Sequence, residues 1–173
     1  SYSPRGGRAA IPQGLQEHRT TGSEGKGILM IPMAKHAELK GQIASTHFTW
    51  EEARCRCCGM LPANKQIIIN TANWMEKIRA YLGNQPIYVN SWFRCPSHNN
   101  DVGGARDSQH LQGTAVDFRH SKIAPARVQA ILKPKLSDRI LSEGHLFTIG
   151  GLGQYSSFTH VDRRNNGPAF WKG

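Results

Sequence analysis

The chain has 173 residues, room for one ordinary domain plus an arm. With 38% hydrophobic residues beside 18 glycines and nine prolines, it predicts one compact core with many turns. A formal net charge of +10 favours polyanionic partners, an anionic cell-wall polymer among them. No apolar run nears the roughly 20 residues of a membrane span, and no zinc-finger, RNA-recognition or basic-zipper pattern occurs, which argues against membrane insertion and against a nucleic-acid partner.

Residues 1 to about 28 hold six glycines and two prolines and show neither helical nor strand periodicity. Such a segment buries too little apolar surface to fold alone, so 1–46 reads as an extended arm or linker and 47–173 as the domain. Ser1 reads as the residue left after removal of an initiator Met. No basic-then-apolar segment follows it, so synthesis in the cytoplasm without a secretion signal is expected.

Thr49 and Glu52 have capping-box spacing, which predicts a short helix there. In "ANKQIIINTANWMEKIRAYLGN", Ile67, Thr71, Trp74, Ile78 and Tyr81 or Leu82 recur every three to four residues, as one buried helix face ending at Gly83. "QPIYVNSWF" reads as a strand with Ile87, Val89 and Ser91 on one face. A long polar, Gly-rich loop follows, "RCPSHNNDVGGARDSQHLQG", then a strand "TAVDFR" and a helix "APARVQAILKPKL" with Pro125 in its first turn. "HLFTIGG" and "SSFTHVDRR" read as two more strands. This order predicts an α+β fold in which an antiparallel sheet, with helices packed on it, carries the site.

His110 closes the polar loop, Asp117 lies on the next strand, and His160 sits between apolar residues on a later one. Two imidazoles and a carboxylate are the donor types of a hydrolytic zinc, which takes three protein ligands and leaves a position for water. Taken singly, each residue also fits an ordinary core or surface role.

The stretch "SWFRCPSHNNDVGGARDSQHLQGTAVDFR" resembles the zinc D,D-peptidases of the M15 peptidase family, which share a fold with the hedgehog signalling domain. The family pattern Ser-x-His-x-x-Gly-x-Ala-x-Asp is met by Ser108, His110, Gly113, Ala115 and Asp117, and the later ligand histidine by His160 in "FTHVD". The resemblance runs from about Phe48 to Trp171. It implies a hedgehog/DD-peptidase-like fold, Zn2+ as cofactor, and hydrolysis of peptide bonds in peptidoglycan stem peptides. There the metal would activate water and polarise the scissile carbonyl. Arg94 matches the family's arginine upstream of the motif, and a cation there would stabilise a developing oxyanion. Ser108 and Tyr155 are expected near the substrate, and Gln109 beside the site.

Many family members carry a glutamate three residues before the last histidine, as general base; here that position is Ser157. Asp162 is the expected substitute. Residues two apart on a strand share a face, so Asp162 either takes a proton from the catalytic water or orients a ligand. Glu143 and His145 are outlying candidates whose plain reading is solvated loop.

Four cysteines lie upstream of the motif. Cys55-x-x-Cys58 with Cys95-x-x-His98 has ribbon-like spacing for a structural zinc; a disulfide from the Cys55–Cys58 segment to Cys95 is the rival, and unpaired thiols the plain alternative.

The resulting expectation is a zinc peptidoglycan peptidase acting on the bacterial cell wall, in the setting of a phage lysin or a virion component whose arm meets phage structural proteins. The alternative is a non-catalytic binding or structural module of a phage particle that keeps the fold. A basic nucleic-acid binder is the weakest reading and would show strongly salt-dependent binding without zinc.

Overall fold

The computed structural model describes residues 39–41, 43, 45–137 and 147–173, all within one compact unit, Pro32–Gly173. Nearly all of the arm expected over 1–46, and the candidates Glu143 and His145, lie outside the described residues.

Helix α1 spans Trp50–Ala53, and the capping box closes it: the Glu52 N–H donates to Thr49 Oγ1, while the Thr49 N–H donates to the Glu52 carboxylate. Helix α2 spans Lys65–Tyr81, capped by the Asn64 side chain, and ends at Leu82 before Gly83 at φ +95°. Its buried stripe is Ile68, Thr71, Ala72, Trp74, Met75 and Ile78, closed by Leu82. Ile67, expected on that face, is half-buried at the stripe's edge, and Tyr81 is exposed. Three consecutive isoleucines leave the phase of the stripe open by one residue, and packing selects the middle one.

Strand β1 covers Ile87–Ser91 with the expected alternation. The following polar stretch is more ordered than the sequence predicts. It contains helix α3, Pro96–Asp101, and a 3-10 turn, Gln109–Gln112. Pro96 is preorganised for the first turn of α3 and Cys95 caps it. The helix buries only Asn99, whose side-chain amide donates to the Ala105 carbonyl, so no apolar period betrays it.

The other elements are β2, Ala115–His120; α4, Pro125–Leu132; β3, Gly151–Gln154; β4, Thr159–Asp162; and β5, Ala169–Lys172. Of the strand expected over "HLFTIGG", 145 and 146 lie outside the described residues, and 147–150 are not part of a ladder. Ile149 forms only an isolated bridge to Leu136, and the ladder starts at Gly151. Strand β5 has no counterpart in the sequence reading, because four residues after a proline are too short to show a period.

The sheet order is β1-β2-β4-β3-β5. Every neighbouring pair is antiparallel except β3 with β5, so the expected antiparallel sheet has one parallel edge. One rung runs Ser91, Asp117, His160, Gly153, Trp171 across all five strands, and the next runs Ala115, Asp162, Gly151, Ala169. Directly paired residues share a face, so these two rungs lie on one side. The intervening residues Val116, Val161 and Leu152 turn to the other side and join Ile68, Met75 and Ile78 of α2 and Val128 and Leu132 of α4 in a single core. One face holds the fold and the other is free for chemistry. Among the described residues no helix is long and apolar enough to cross a membrane.

Gly113 joins the two faces. It ends the 3-10 turn at φ +78°, and its carbonyl accepts from Trp92 Nε1 at 2.9 Å and Thr71 Oγ1 at 3.1 Å. A Cβ here would stand 2.8 Å from Ile68 Cδ1 in a left-handed backbone conformation that L side chains rarely adopt. Gly113→Ala is expected to cost about 1–3 kcal/mol through backbone strain and crowding, read as a fall in Tm with zinc affinity weakened alongside, since the turn carries His110.

Candidate metal centre

The 3-10 turn delivers His110, and the central strand pair delivers Asp117 and His160. Their donor atoms converge. His110 Nε2 lies 3.2 Å from Asp117 Oδ1 and 3.2 Å from His160 Nδ1, and His160 Nδ1 lies 2.8 Å from Asp117 Oδ1. A zinc ion with donor bonds of about 2.0–2.1 Å has tetrahedral edges of about 3.3 Å, close to this triangle.

The outer partners fix which nitrogens carry protons. His110 Nδ1 lies 2.6 Å from the Trp92 carbonyl, which can only accept, so the proton sits on Nδ1 and Nε2 keeps its lone pair. His160 Nε2 lies 3.1 Å from Asp162 Oδ2, a carboxylate that also only accepts, so Nε2 holds the proton and Nδ1 the lone pair. Two imidazole lone pairs and a carboxylate oxygen thus face one point. Without a cation they repel; with one they are ligands, and the residues present fit zinc.

Asp117 is held from its other side. Arg94 Nη2 donates to Asp117 Oδ2 at 2.5 Å and Arg94 Nε to Ser91 Oγ at 2.9 Å. The guanidinium occupies one carboxylate oxygen and leaves the other for the metal. The arginine expected as a site cation is thus also paired with a carboxylate, and that carboxylate is the candidate ligand.

Asp162 is fully buried behind His160. It accepts from His160 Nε2, from the Arg164 backbone N–H, and from Arg164 Nε and Nη2, the last at 2.6 Å. It touches the ring edge opposite the metal-facing nitrogen and does not line the cleft. Gly151, its partner on β3, makes room, since a Cβ there would overlap the carboxylate.

Burial alone would lower the His160 pKa, but hydrogen bonds and charge from Asp117 and Asp162 outweigh it and raise the ring above its usual range. His110 goes the other way: burial lowers it and Asp117 offsets this only in part. Burial pushes both carboxyls up, yet the two imidazoles hold Asp117 far below the usual carboxylate range, and His160 with Arg164 brings Asp162 to about 2.

The site opens into a cleft of about 530 Å³, sized for a short peptide segment. Ser108 and Tyr155 both line it. Ser108 Oγ accepts from the His110 N–H at 3.4 Å, and Tyr155 stacks on Phe158 with centroids 4.3 Å apart. Trp171, not among the expected site residues, forms a wall: its ring lies 5.0 Å from His160, beneath the Arg164 guanidinium, and its Nε1 donates to the Tyr155 hydroxyl. A Cβ on Gly153 would enter that indole at 2.8 Å. The alternating glycines of "GLGQ", opposite two buried polar residues, were the available signal for this packing. Besides Asp117, Asp107 is the carboxylate among the lining residues; the lining contains no glutamate. Ser157 is exposed and borders a shallow depression elsewhere.

The cysteines form a second cluster. The sulfurs of Cys55, Cys57, Cys58 and Cys95 all lie within 4.8 Å of one another, and all four are free. His98, grouped with them by spacing, is not in the foursome; its Nδ1 lies 3.3 Å from Cys55 Sγ.

Below its raised pKa the His160 ring carries a second proton, on Nδ1, which metal binding at the histidine–aspartate site must displace. Zinc affinity, measured by competition with a chromogenic chelator, is expected to be flat above the raised His160 pKa and to fall roughly tenfold per pH unit below it. Asp162→Asn removes a group that raises that pKa, so the break should move to lower pH while affinity drops about 10–100-fold. A pH-independent affinity through the histidine range would contradict this assignment of donors.

Comparison with known proteins agrees with this geometry. The zinc D-Ala-D-Ala carboxypeptidase of Streptomyces albus G is 41% identical to this chain over 44 residues, which are 25% of this chain and 17% of that protein, so the match spans less than a fifth of the relative. The family model described as Peptidase M15 matches residues 46–162, from just before α1 through the last candidate ligand strand. The chain belongs to the Peptidase M15 family.

Proposed function

We propose that this chain is a zinc-dependent peptidase that hydrolyses peptide bonds in the stem peptides of bacterial peptidoglycan. The observation that carries the reading is the convergence of His110 Nε2, Asp117 Oδ1 and His160 Nδ1 at the base of a peptide-sized cleft, in a chain of a peptidase family. A zinc ion bound there would supply Lewis acidity to a water and to the scissile carbonyl. The chain's own residues do the rest. The Trp92 carbonyl and Asp162 hold the two imidazoles in the tautomers that present lone pairs. Arg94 fixes Asp117 and, as a lining residue, offers positive charge where the carbonyl oxygen becomes negative.

Of the two roles open to Asp162, its position favours orienting His160. We assign proton exchange in the cleft to Asp107, the lining carboxylate not engaged with the two histidines. Ser108, Tyr155 and Trp171 would contact the substrate backbone and side chains. The positive net charge suits an anionic wall. The setting we favour is a phage lysin or tail-associated component, with the N-terminal segment meeting phage structural proteins.

A second reading rests on Ser157, which stands where many relatives carry their base and faces away from the cleft. It makes the domain a non-catalytic module that retains the metal. Digestion of purified peptidoglycan, with fragments read by mass spectrometry and zinc measured on the same samples, separates the two. On the peptidase reading wild type releases peptides, His110→Ala loses metal and activity, and Asp107→Asn keeps metal while losing about 10²–10⁴-fold in rate. Wild type that holds zinc yet releases nothing from several wall types would favour the module.

A further inference from the structure

We infer that Cys55, Cys57, Cys58 and Cys95 form a second metal site, a structural zinc held by four thiolates, which ties the segment after α1 to the start of α3. The site is distinct from the histidine–aspartate centre and does not depend on the peptidase reading.

The sulfur geometry is that of a metal tetrad. Cys55 and Cys57 sulfurs lie 3.5 Å apart, Cys57 and Cys95 sulfurs 3.4 Å, and all four lie within 4.8 Å of one another. A disulfide requires about 2.05 Å. A tetrahedral zinc–sulfur site, with bonds of about 2.3 Å, has edges of about 3.8 Å. The fold brings Cys95 to the other three sulfurs across 37 to 40 positions, so its meeting with them is not a by-product of local sequence.

The surroundings suit thiolates. The Cys95 N–H donates to Cys55 Sγ at 3.3 Å, the His98 N–H donates to Cys95 Sγ at 3.4 Å, and His98 Nδ1 stands 3.3 Å from Cys55 Sγ. N–H groups aimed at sulfur stabilise its anionic, metal-binding form. His98 therefore acts behind a ligand, and Cys57 takes the place that spacing gave to the histidine. The backbone closes around the tetrad: the Gly59 N–H donates to the Cys55 carbonyl, the Cys55 N–H to the Met60 carbonyl, and Gly59 turns at φ +69°. Cys55 and Cys95 are buried, whereas Cys57 and Cys58 are exposed and give a metal access. Among divalent ions, an all-sulfur tetrahedral set selects zinc in a cell.

Cys55, Phe93 and Cys95 form a small cluster separate from the main core. The segment so anchored contains Trp92, whose carbonyl fixes the His110 tautomer, and Arg94, whose N–H donates to the His110 carbonyl and whose guanidinium holds Asp117. The tetrathiolate thus supports the histidine–aspartate centre from behind.

The test uses the full chain purified under reducing conditions, with zinc counted against protein and cobalt(II) then exchanged in. Wild type is expected to hold about two zinc ions per chain and His110→Ala about one. The His110→Ala protein should keep the intense thiolate-to-cobalt absorption bands. The Cys57→Ser/Cys58→Ser double variant changes exposed positions; it should lose those bands, keep about one zinc, and melt several degrees lower. If the double variant fails to fold, stepwise titration of wild-type thiols with a mercurial reads the same site: one zinc should leave as the four sulfurs are capped. The inference is overturned if His110→Ala binds no metal, if capping the thiols releases none, or if the sulfurs are recovered as disulfides without a second metal.

Discussion

Everything at the centre of this domain turns on the two oxygens of Asp117. One accepts charge from Arg94 and the other faces two imidazole nitrogens. A carboxylate in a nearly dry site would ordinarily be driven towards its neutral form. Here three cationic or potentially cationic partners keep it ionised, and its negative charge is what makes two neighbouring histidines tolerable within about one tetrahedral edge. Remove the carboxylate and the imidazoles have no common counter-charge. Remove the arginine and the carboxylate loses the clamp that decides which oxygen points inward.

That arrangement is a product of strand register. Asp117 and His160 are paired residues on adjacent central strands, so their side chains leave the sheet side by side. A shift of one residue in either strand would turn one donor into the core and a core-facing neighbour, such as Val116 or Val161, into the site. Register also explains the two glycines of β3. They stand next to His160 and Asp162 on the same face, where any side chain would occupy the space of the carboxylate or of the Trp171 ring. The apolar face pins the register through Val116, Val161 and Leu152, so core packing and donor placement are two sides of one constraint.

The parts of this design that are local in sequence could be read from it. The α1 capping box, the α2 stripe, and the His110–Asp117 spacing each depend on neighbours along the chain. His160 stood out as a polar residue in an apolar strand. What was hidden depends on lateral neighbours. Trp171 belongs to the site only because β5 adds to the sheet in parallel beside β3, and Arg164 because it folds back on Asp162. Asp162 was visible as a carboxylate on the right face, but its place behind the imidazole could not be told from a place before it. The cysteines show a different limit: three thiols in four residues offer more donors than spacing can rank, and only the fold shows that the Cys57 sulfur joins the other three while His98 stands beside Cys55. Helix α3 was hidden because it buries an asparagine instead of an apolar stripe.

The placement of Asp117 and His160 on the two middle strands, with His110 on the turn before them, has a thermodynamic corollary. His110 and His160 are 50 residues apart, and Asp117 and His160 are 43 apart, so the unfolded chain offers the metal no comparable trio. The ladder that aligns them is flanked by strands on both sides and backed by the core, where local fraying is least accessible. Separating Asp117 from His160 therefore requires opening the ladder. A bound ion would act as a cross-link between distant stretches of chain, and falling metal would lower the stability of the fold while the site was still largely filled.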